Sequence, residues 1–279
     1  MERLILTICL IALAFTAFAQ CGDSDWWCTP YTAPAFPDDS LVLWFDMDSM
    51  AACSLYDYSG TGNLGKFNGD LPTDSTGYNP GCSDSVAQYF DGYNDYILIP
   101  NNASLQFGAG CDFTFYARFR TTGTGGRFIY SYTAPKGYNL GIDRSKILFY
   151  IYWSGAYTGF RHTGTTINDG SWHTAIAGRD GDSLWFDVDG IEQGRIGNAN
   201  HDISCSRGQF IGVDWQLVHD FKGVISDIAV WRRTLTPTER TNLDTYNSIS
   251  GACGAAPVTT GAKWRGVVID GKLQTWRTQ

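Results

Sequence analysis

The chain has 279 residues, with 25 Asp against 3 Glu, 32 Gly, and 41 aromatic residues (16 Phe, 15 Tyr and 10 Trp). Glu favours helices whereas Asp and Gly favour caps and turns, so a helical bundle or coiled coil is excluded, and an apolar share of 43% excludes a disordered acidic chain. The formal charge of −8 leaves no basic footprint for nucleic acid, and the length allows one large all-β domain or at most two small ones.

Met1 to Ala19 reads as a secretory signal peptide: Arg3, the apolar run Leu4 to Ala14, then the small-x-small site Ala17-Phe18-Ala19. A membrane anchor is the alternative, but the run is shorter than the roughly 20 residues a spanning helix needs. The expectation is a secreted protein, extracellular or on a cell surface, with no membrane span. Residues 20–40 are polar, carry Pro30, Pro34 and Pro37, and read as an irregular segment. From Leu41 strand patterns recur between turn signals. In Phe113–Phe119 the odd positions are apolar while Thr114, Tyr116 and Arg118 face the other way. Leu184–Val188 alternates similarly and runs into the hairpin signal Asp189-Gly190. Further strands are expected at 41–45, 86–90, 95–99, 127–133, 146–152, 172–178, 208–213 and 223–231. One helix is expected after Thr236, with Pro237 at its first position and Glu239 in capping-box spacing. Residues 251–279 read as a linker and a basic hairpin around Asp270-Gly271.

Cys9 lies in the signal segment and seven cysteines follow it, none in a Cys-x-x-Cys, which disfavours zinc. Disulfides are the expectation in an exported chain. Cys53 with Cys82 and Cys111 with Cys205 are the expected pairs, each cysteine lying near a predicted strand end. Cys21, Cys28 and Cys253 then share one bridge and leave an odd thiol, which is open to lipidation, to remaining free, or to a disulfide-linked oligomer.

The ordered motifs carry a resemblance. Leu41-Val-Leu-Trp-Phe-Asp46 is followed by Asp57-Tyr-Ser-Gly-Thr-Gly-Asn-Leu-Gly65 and by Ala87-Gln-Tyr-Phe-Asp-Gly-Tyr-Asn-Asp-Tyr-Ile-Leu-Ile-Pro100. Phe113–Phe119, Asp169-Gly-Ser-Trp-His173, Leu184–Gly190, Phe221–Trp231 and Leu235-Thr-Pro-Thr-Glu239 complete the order. Together they resemble a LamG-like jellyroll domain of the concanavalin A-like superfamily, related to laminin G modules and pentraxins, over roughly Leu41 to Leu243. The resemblance implies an all-β antiparallel jellyroll sandwich with one short helix near the C-terminus. It also implies binding of glycans, extracellular matrix or cell-surface proteins, often with calcium.

Calcium takes six to eight oxygens from an irregular loop. The candidate ligands are Asp46, Asp57 and Asn63, with Asp227 brought in by the resemblance; turn residues bonding their own backbone are the competing reading. Asp91, Asn94 and Asp95 form a second acidic loop of the same ambiguity. The pentraxin double-calcium site is not carried over, because the corresponding segments read Lys136-Gly137 and Val213–Gln216. For a sugar, the candidate contacts are Trp153 and Tyr157 on a predicted turn and Trp215 with Gln216 on a loop, with Trp26-Trp27 in the N-terminal segment; packing under loops is the commoner fate of such rings. Trp172, Trp231 and His173 fall in strand patterns and are expected to be structural. Glycoside hydrolases of this fold use a strand-borne Glu-x-Asp-x-x-Glu, which a chain with only Glu192 and Glu239 beyond the signal segment lacks. The expected protein is a non-catalytic, calcium-stabilised binding module for glycans or surface partners. An adhesive structural component is the alternative, with a polysaccharide-degrading enzyme behind it. Asn102-Ala103-Ser104 is a glycosylation sequon, usable in a eukaryotic source.

Overall fold

The computed structural model describes residues 37–47, 50–51, 54–68, 73–76, 86–133, 135–214, 216–245, 264–269 and 272–277. The expected signal segment, most of the 20–40 segment, Trp26, Trp27, Trp215 and cysteines 21, 28, 53, 82 and 253 lie outside these residues. The strands in chain order are β1 (Leu41–Phe45), β2 (Met50–Ala51), β3 (Ser54–Leu55), β4 (Gly65–Asn68), β5 (Thr73–Thr76), β6 (Val86–Asp91), β7 (Tyr96–Ile99), β8 (Phe113–Arg120), β9 (Gly125–Thr133) and β10 (Lys136–Asp143). There follow β11 (Lys146–Trp153), β12 (Ala156–Phe160), β13 (Trp172–Asp180), β14 (Ser183–Val188), β15 (Ile191–Ile196), β16 (Gln209–Ile211), β17 (Lys222–Trp231), the helix α1 (Pro237–Thr245), β18 (Trp264–Ile269) and β19 (Lys272–Arg277).

These strands form the two antiparallel sheets of a sandwich. The first runs β15-β14-β13-β8-β17-β6-β5, with β1 also paired to β17; the second runs β12-β11-β10-β9-β16-β7-β4-β3-β2. The main core lies between them. Phe113, Phe115, Ala117 and Phe119 of β8 point into it, as their spacing predicts, against Phe128, Tyr138, Phe149 and Phe221. The Asp189-Gly190 hairpin is a two-residue turn with both residues at positive φ (50° and 73°), joining Val188 to its partner Ile191. β18 and β19 pair with each other, with Ile269 opposite Lys272.

The opposite face of the first sheet is also buried, because α1 lies across it. Leu235 and Leu243 close over Trp44, Tyr116, Ile176, Trp185 and Trp231 in a second apolar cluster, where each large side chain contributes roughly 1.5–3 kcal/mol. The expected capping box forms. Thr236 N–H donates to Glu239 Oε2 at 2.7 Å and Glu239 N–H to Thr236 Oγ1 at 3.3 Å. At the other end Arg118 Nη2 donates to the carbonyls of Leu243 (3.0 Å) and Asp244 (3.2 Å), placing a cation at the negative pole of the helix. Arg240 anchors the middle, 3.0 Å from Asp187 Oδ1 and stacked 4.1 Å from the Trp185 ring centroid.

The expected Cys111–Cys205 bridge is not formed in this structure. Instead the fully buried Arg179 of β13 ties the two loops together. Its Nε donates to Cys111 O (2.8 Å), Nη1 to Ala199 O (3.1 Å) and His201 O (2.6 Å), and Nη2 to Gly108 O (2.5 Å). A planar fork with five donors matches this set of converging carbonyls.

Candidate functional site

The four candidate calcium ligands do not form one set. β1 has two edges, and β17 pairs with one of them, bringing Asp227 to the far side, opposite Arg118 of β8. Asp57 and Asn63 line the other edge. Asp57 Oδ1 accepts the N–H groups of Trp44 (3.0 Å) and Ser59 (2.9 Å), while Oδ2 accepts Asn63 N–H (2.9 Å) and lies 3.0 Å from the Thr61 hydroxyl. Asn63 Nδ2 donates to Val42 O at 2.7 Å. The loop thus satisfies the unpaired edge of β1 with side chains, which accounts for an Asp, a Thr and an Asn at this spacing. Three backbone N–H groups engage its two oxygens, while the single Thr61 hydroxyl hydrogen also has Val42 O at 2.6 Å. Asp46 follows Phe45 at the end of β1. Among the described residues, no three of His, Cys, Asp and Glu are arranged to hold a metal ion. Asp91 and Asp95 are likewise turn residues: Asp95 Oδ2 accepts Asp91 N–H (2.8 Å) and Asp91 Oδ1 accepts Tyr93 N–H (2.7 Å).

The candidate sugar contacts separate in the same way. The Trp153 ring stacks on His201 at a centroid distance of 3.6 Å and an angle of 14°, and its Nε1 donates to Thr158 Oγ1 at 3.1 Å. It also packs against the core, so it serves packing. Gln216 is exposed, with its backbone N–H on Asp214 Oδ1 at 2.9 Å. Tyr157 is 57% exposed and stands 6.0 Å from Tyr150, which leads to a site that loop-centred reasoning missed.

On β9, β10, β11 and β12 the side chains facing away from the core form aligned rows. Tyr130, Asn139, Tyr150 and Gly159 are successive partners across the four strands. The adjacent row is Tyr132, Gly137, Tyr152 and Tyr157. Both glycines therefore fall among rings. At Gly159 a Cβ would come within 2.2 Å of Phe149 O and 2.4 Å of Tyr150 Cα and Cβ, so any larger residue would displace the β11 backbone beneath that tyrosine. The ring centroids of Tyr132 and Tyr152 are 4.7 Å apart, those of Tyr150 and Tyr152 4.8 Å. The hydroxyls are linked beneath: Tyr152 OH donates to Tyr150 OH at 2.9 Å and Asn139 Nδ2 donates to it at 3.0 Å. Tyr150 OH accepts both, which leaves its own hydrogen for another acceptor. Asn139 Oδ1 is buried without a partner. The two Tyr-x-Tyr spacings, 130/132 and 150/152, were the available sequence signal, since alternate strand residues share a face.

A third row adds charge. Arg127 and Leu148 flank Gly141, with Arg127 Cδ 3.2 Å from where a Gly141 Cβ would stand, so the guanidinium stem lies over that glycine. Arg127 is buried; Nη1 donates to the carbonyls of Gly126 (3.1 Å) and Ile142 (3.3 Å), and Nε has no partner. Arg161 lies 5.6 Å above the Tyr150 centroid. Burial is the main cause raising the Tyr130 and Tyr152 pKa values. Neighbouring Tyr152 and Tyr150 add to it at Tyr130, and the bond to Tyr150 adds to it at Tyr152, so both phenols remain neutral donors. Flat apolar faces edged by hydroxyl, amide and guanidinium groups suit a pyranose or furanose ring and its hydroxyls. No pair of carboxylates stands among these rows to cleave a glycosidic bond. Asp187, on β14 of the first sheet, is paired with Arg240 under the helix.

The Laminin_G_3 family, described as the concanavalin A-like lectin/glucanases superfamily, matches residues 91–239. The comparison with curated proteins found no match. Among solved structures, the chain is similar to the binding domain of Paraclostridial Mosquitocidal Protein 1, with a TM-score of 0.62, 12% identity and coverage of 87% of this chain and 64% of that one. It is similar to domain 4 of AbnA, an extracellular arabinanase from Geobacillus stearothermophilus, solved with arabinotriose (TM-score 0.58, 17% identity, 74% of this chain and 98% of that one). The botulinum neurotoxin DC binding domain, solved with rat synaptotagmin II, is a third (TM-score 0.57, 13% identity, 76% and 53%). The chain spans less than two thirds of the length of the first and third. At these identities the likeness shows the sandwich fold.

Proposed function

The chain belongs to the concanavalin A-like lectin/glucanase superfamily, and from that premise we propose that it is an exported, non-catalytic glycan-binding module. The tyrosine rows of β9 to β12 form its binding face. The observation that carries the reading is the concentration of Tyr130, Tyr132, Tyr150, Tyr152 and Tyr157 on one side of four adjacent strands, with the Tyr150 and Tyr152 hydroxyls networked to Asn139. Tyr130 and Tyr150 are buried at the base of the rows, Tyr132 and Tyr152 are half-buried, and Tyr157 is mostly exposed, so the last three present the open ring surface. The arabinanase domain complexed with arabinotriose supports the reading as a precedent for a sugar on this fold. Export rests on the signal-like segment at 1–19. No helix among the described residues is long and apolar enough to cross a membrane.

The test is retention of the full chain on immobilised polysaccharides and a glycan array, with Tyr152→Ala beside the wild type. Binding that falls about tenfold or more in the variant at an unchanged melting temperature is expected, because base- and sugar-type stacking on one ring is worth 1–3 kcal/mol. Undiminished binding in Tyr152→Ala would move the site elsewhere. Absence of any glycan retention would overturn the function.

A further inference from the structure

Arg127 is a buried cation with no carboxylate within 4.0 Å among the described residues, and it borders the tyrosine face. Its Nη1 is held by two backbone carbonyls, Gly126 O and Ile142 O, while Nε is buried and unpartnered. Burying a guanidinium without a counter-charge costs several kcal/mol, and leaving one of its N–H groups unbonded adds to that cost. Arg179, the other deeply buried arginine, shows the contrast, since carbonyls from two loops satisfy its fork. At the other end of the same row, Arg161 sits over Tyr150. Its nearest acid, Asp143 at 3.9 Å, is already engaged by His162 Nε2 at 2.6 Å. Two guanidinium groups thus flank Gly141 and Leu148 directly beside Tyr130, Asn139 and Tyr150. Asp143 beside Arg161 and Asp214 near Tyr130 are the acids around this pair.

We propose that the tyrosine face takes an anionic glycan whose acid group is received by Arg127, with Arg161 as the second cation. The inference rests on the glycan-binding reading of the same face and adds the substrate class. The acid is a sugar carboxylate or a sulfate ester, both of which accept from a guanidinium fork. The neutral part of the chain stacks on Tyr132, Tyr152 and Tyr157.

The experiment is affinity electrophoresis of the full chain in gels carrying polygalacturonate, the same polymer after reduction of its carboxyls to alcohols, or a sulfated galactan. Arg127→Gln, Arg161→Gln and Tyr152→Ala are run beside it, and each is checked for folding by its melting curve. The expected result is apparent affinity about tenfold greater for one or both anionic polymers than for the reduced one. That preference disappears in Arg127→Gln and shrinks in Arg161→Gln, which changes an exposed residue and leaves the fold intact. A stronger response to polygalacturonate identifies the carboxylate, and to the sulfated polymer the sulfate. Equal retardation by charged and reduced polymers, or a preference that survives in Arg127→Gln, overturns the anionic assignment and leaves the glycan reading standing. No retardation in any gel overturns both.

Discussion

Asp57 Oδ1 accepts the backbone N–H of Trp44 at 3.0 Å, so a carboxylate occupies the edge of β1 where a further strand would otherwise pair. The same carboxylate takes the N–H groups of Ser59 and Asn63. Asp57→Ala strands these buried donors and is expected to cost about 2–4 kcal/mol, read as a lower urea midpoint at unchanged slope. Because its oxygens are already engaged, melting curves in EDTA and in millimolar calcium should coincide. Stabilisation by calcium that vanishes in Asp57→Ala would restore the metal reading.

The sequence was most legible where one rule acted alone. β1, β8, β14 and β17 were expected within one residue of their observed ends, because strict alternation or a continuous apolar run marks them. The capping box and the Asp-Gly hairpin are local and were read correctly. β10 escaped because Gly137 and Gly141 break its pattern, yet those glycines make room between the tyrosine rows. Asp57 was ambiguous for a physical reason: an oxygen-rich loop looks alike whether it faces a cation or the edge of a strand. Arg179 left no signal at all, since a basic residue in a strand suggests an exposed face, and only the converging loops explain its burial.

Arg179 holds four backbone carbonyls from two loops without any carboxylate partner. Burial lowers its pKa, yet an arginine so held stays charged. Arg179→Met fits the volume but orphans the carbonyls, and a loss on the order of 3–5 kcal/mol is expected. Arg179→Lys recovers little of it, because an ammonium cannot span both loops. Guanidinium chloride unfolding of the two variants measures this; a lysine variant as stable as wild type would show that charge alone suffices.

Asp187 and Arg240 couple the helix to pH. Burial pushes the Asp187 carboxyl up to about 6, with Arg240 opposing the shift and Glu192 assisting it. The folded pKa lies above the ordinary 3.8, so the native state holds the extra proton between these values, and this group's contribution falls as pH rises through the window. The difference in stability between wild type and Asp187→Asn should therefore change by on the order of 2 kcal/mol between pH 4 and 7. Arg240→Met should move the carboxyl resonance to higher pH in an NMR titration. A flat difference curve would contradict the coupling.

His173 titrates in the same sense at higher pH. Its Nδ1 lies 2.7 Å from Asp189 Oδ2 and its Nε2 3.1 Å from Asp169 Oδ1, so both nitrogens face acceptors and favour the imidazolium. The bond to Asp189 is the main cause raising its pKa above 6.5, opposed by burial and assisted by Asp169. The stabilisation is complete below pH 6.5 and is lost as pH climbs through the raised value. His173→Gln should cost about 1 kcal/mol at pH 5.5, discounted for the exposed Asp169, and less at pH 9. A larger cost at pH 9 would reverse the assignment of charge.

Trp153 and Tyr157 stand four residues apart and give opposite expectations. The Trp153 ring has His201 on one face and the core behind it, so Trp153→Ala opens a void and should cost about 3–5 kcal/mol. Its effect on glycan retention should appear only as far as the protein unfolds. Tyr157 packs loosely beside Tyr150 with most of its surface free, so Tyr157→Ala should shift stability by under about 0.5 kcal/mol. It should nevertheless weaken retention several-fold, because it removes the outer ring of the platform. Thermal melts and affinity gels on the two variants, run side by side, separate a ring that holds the sandwich together from one that meets the ligand. Retention lost in folded Trp153→Ala but kept in Tyr157→Ala would return the site to the β11–β12 turn.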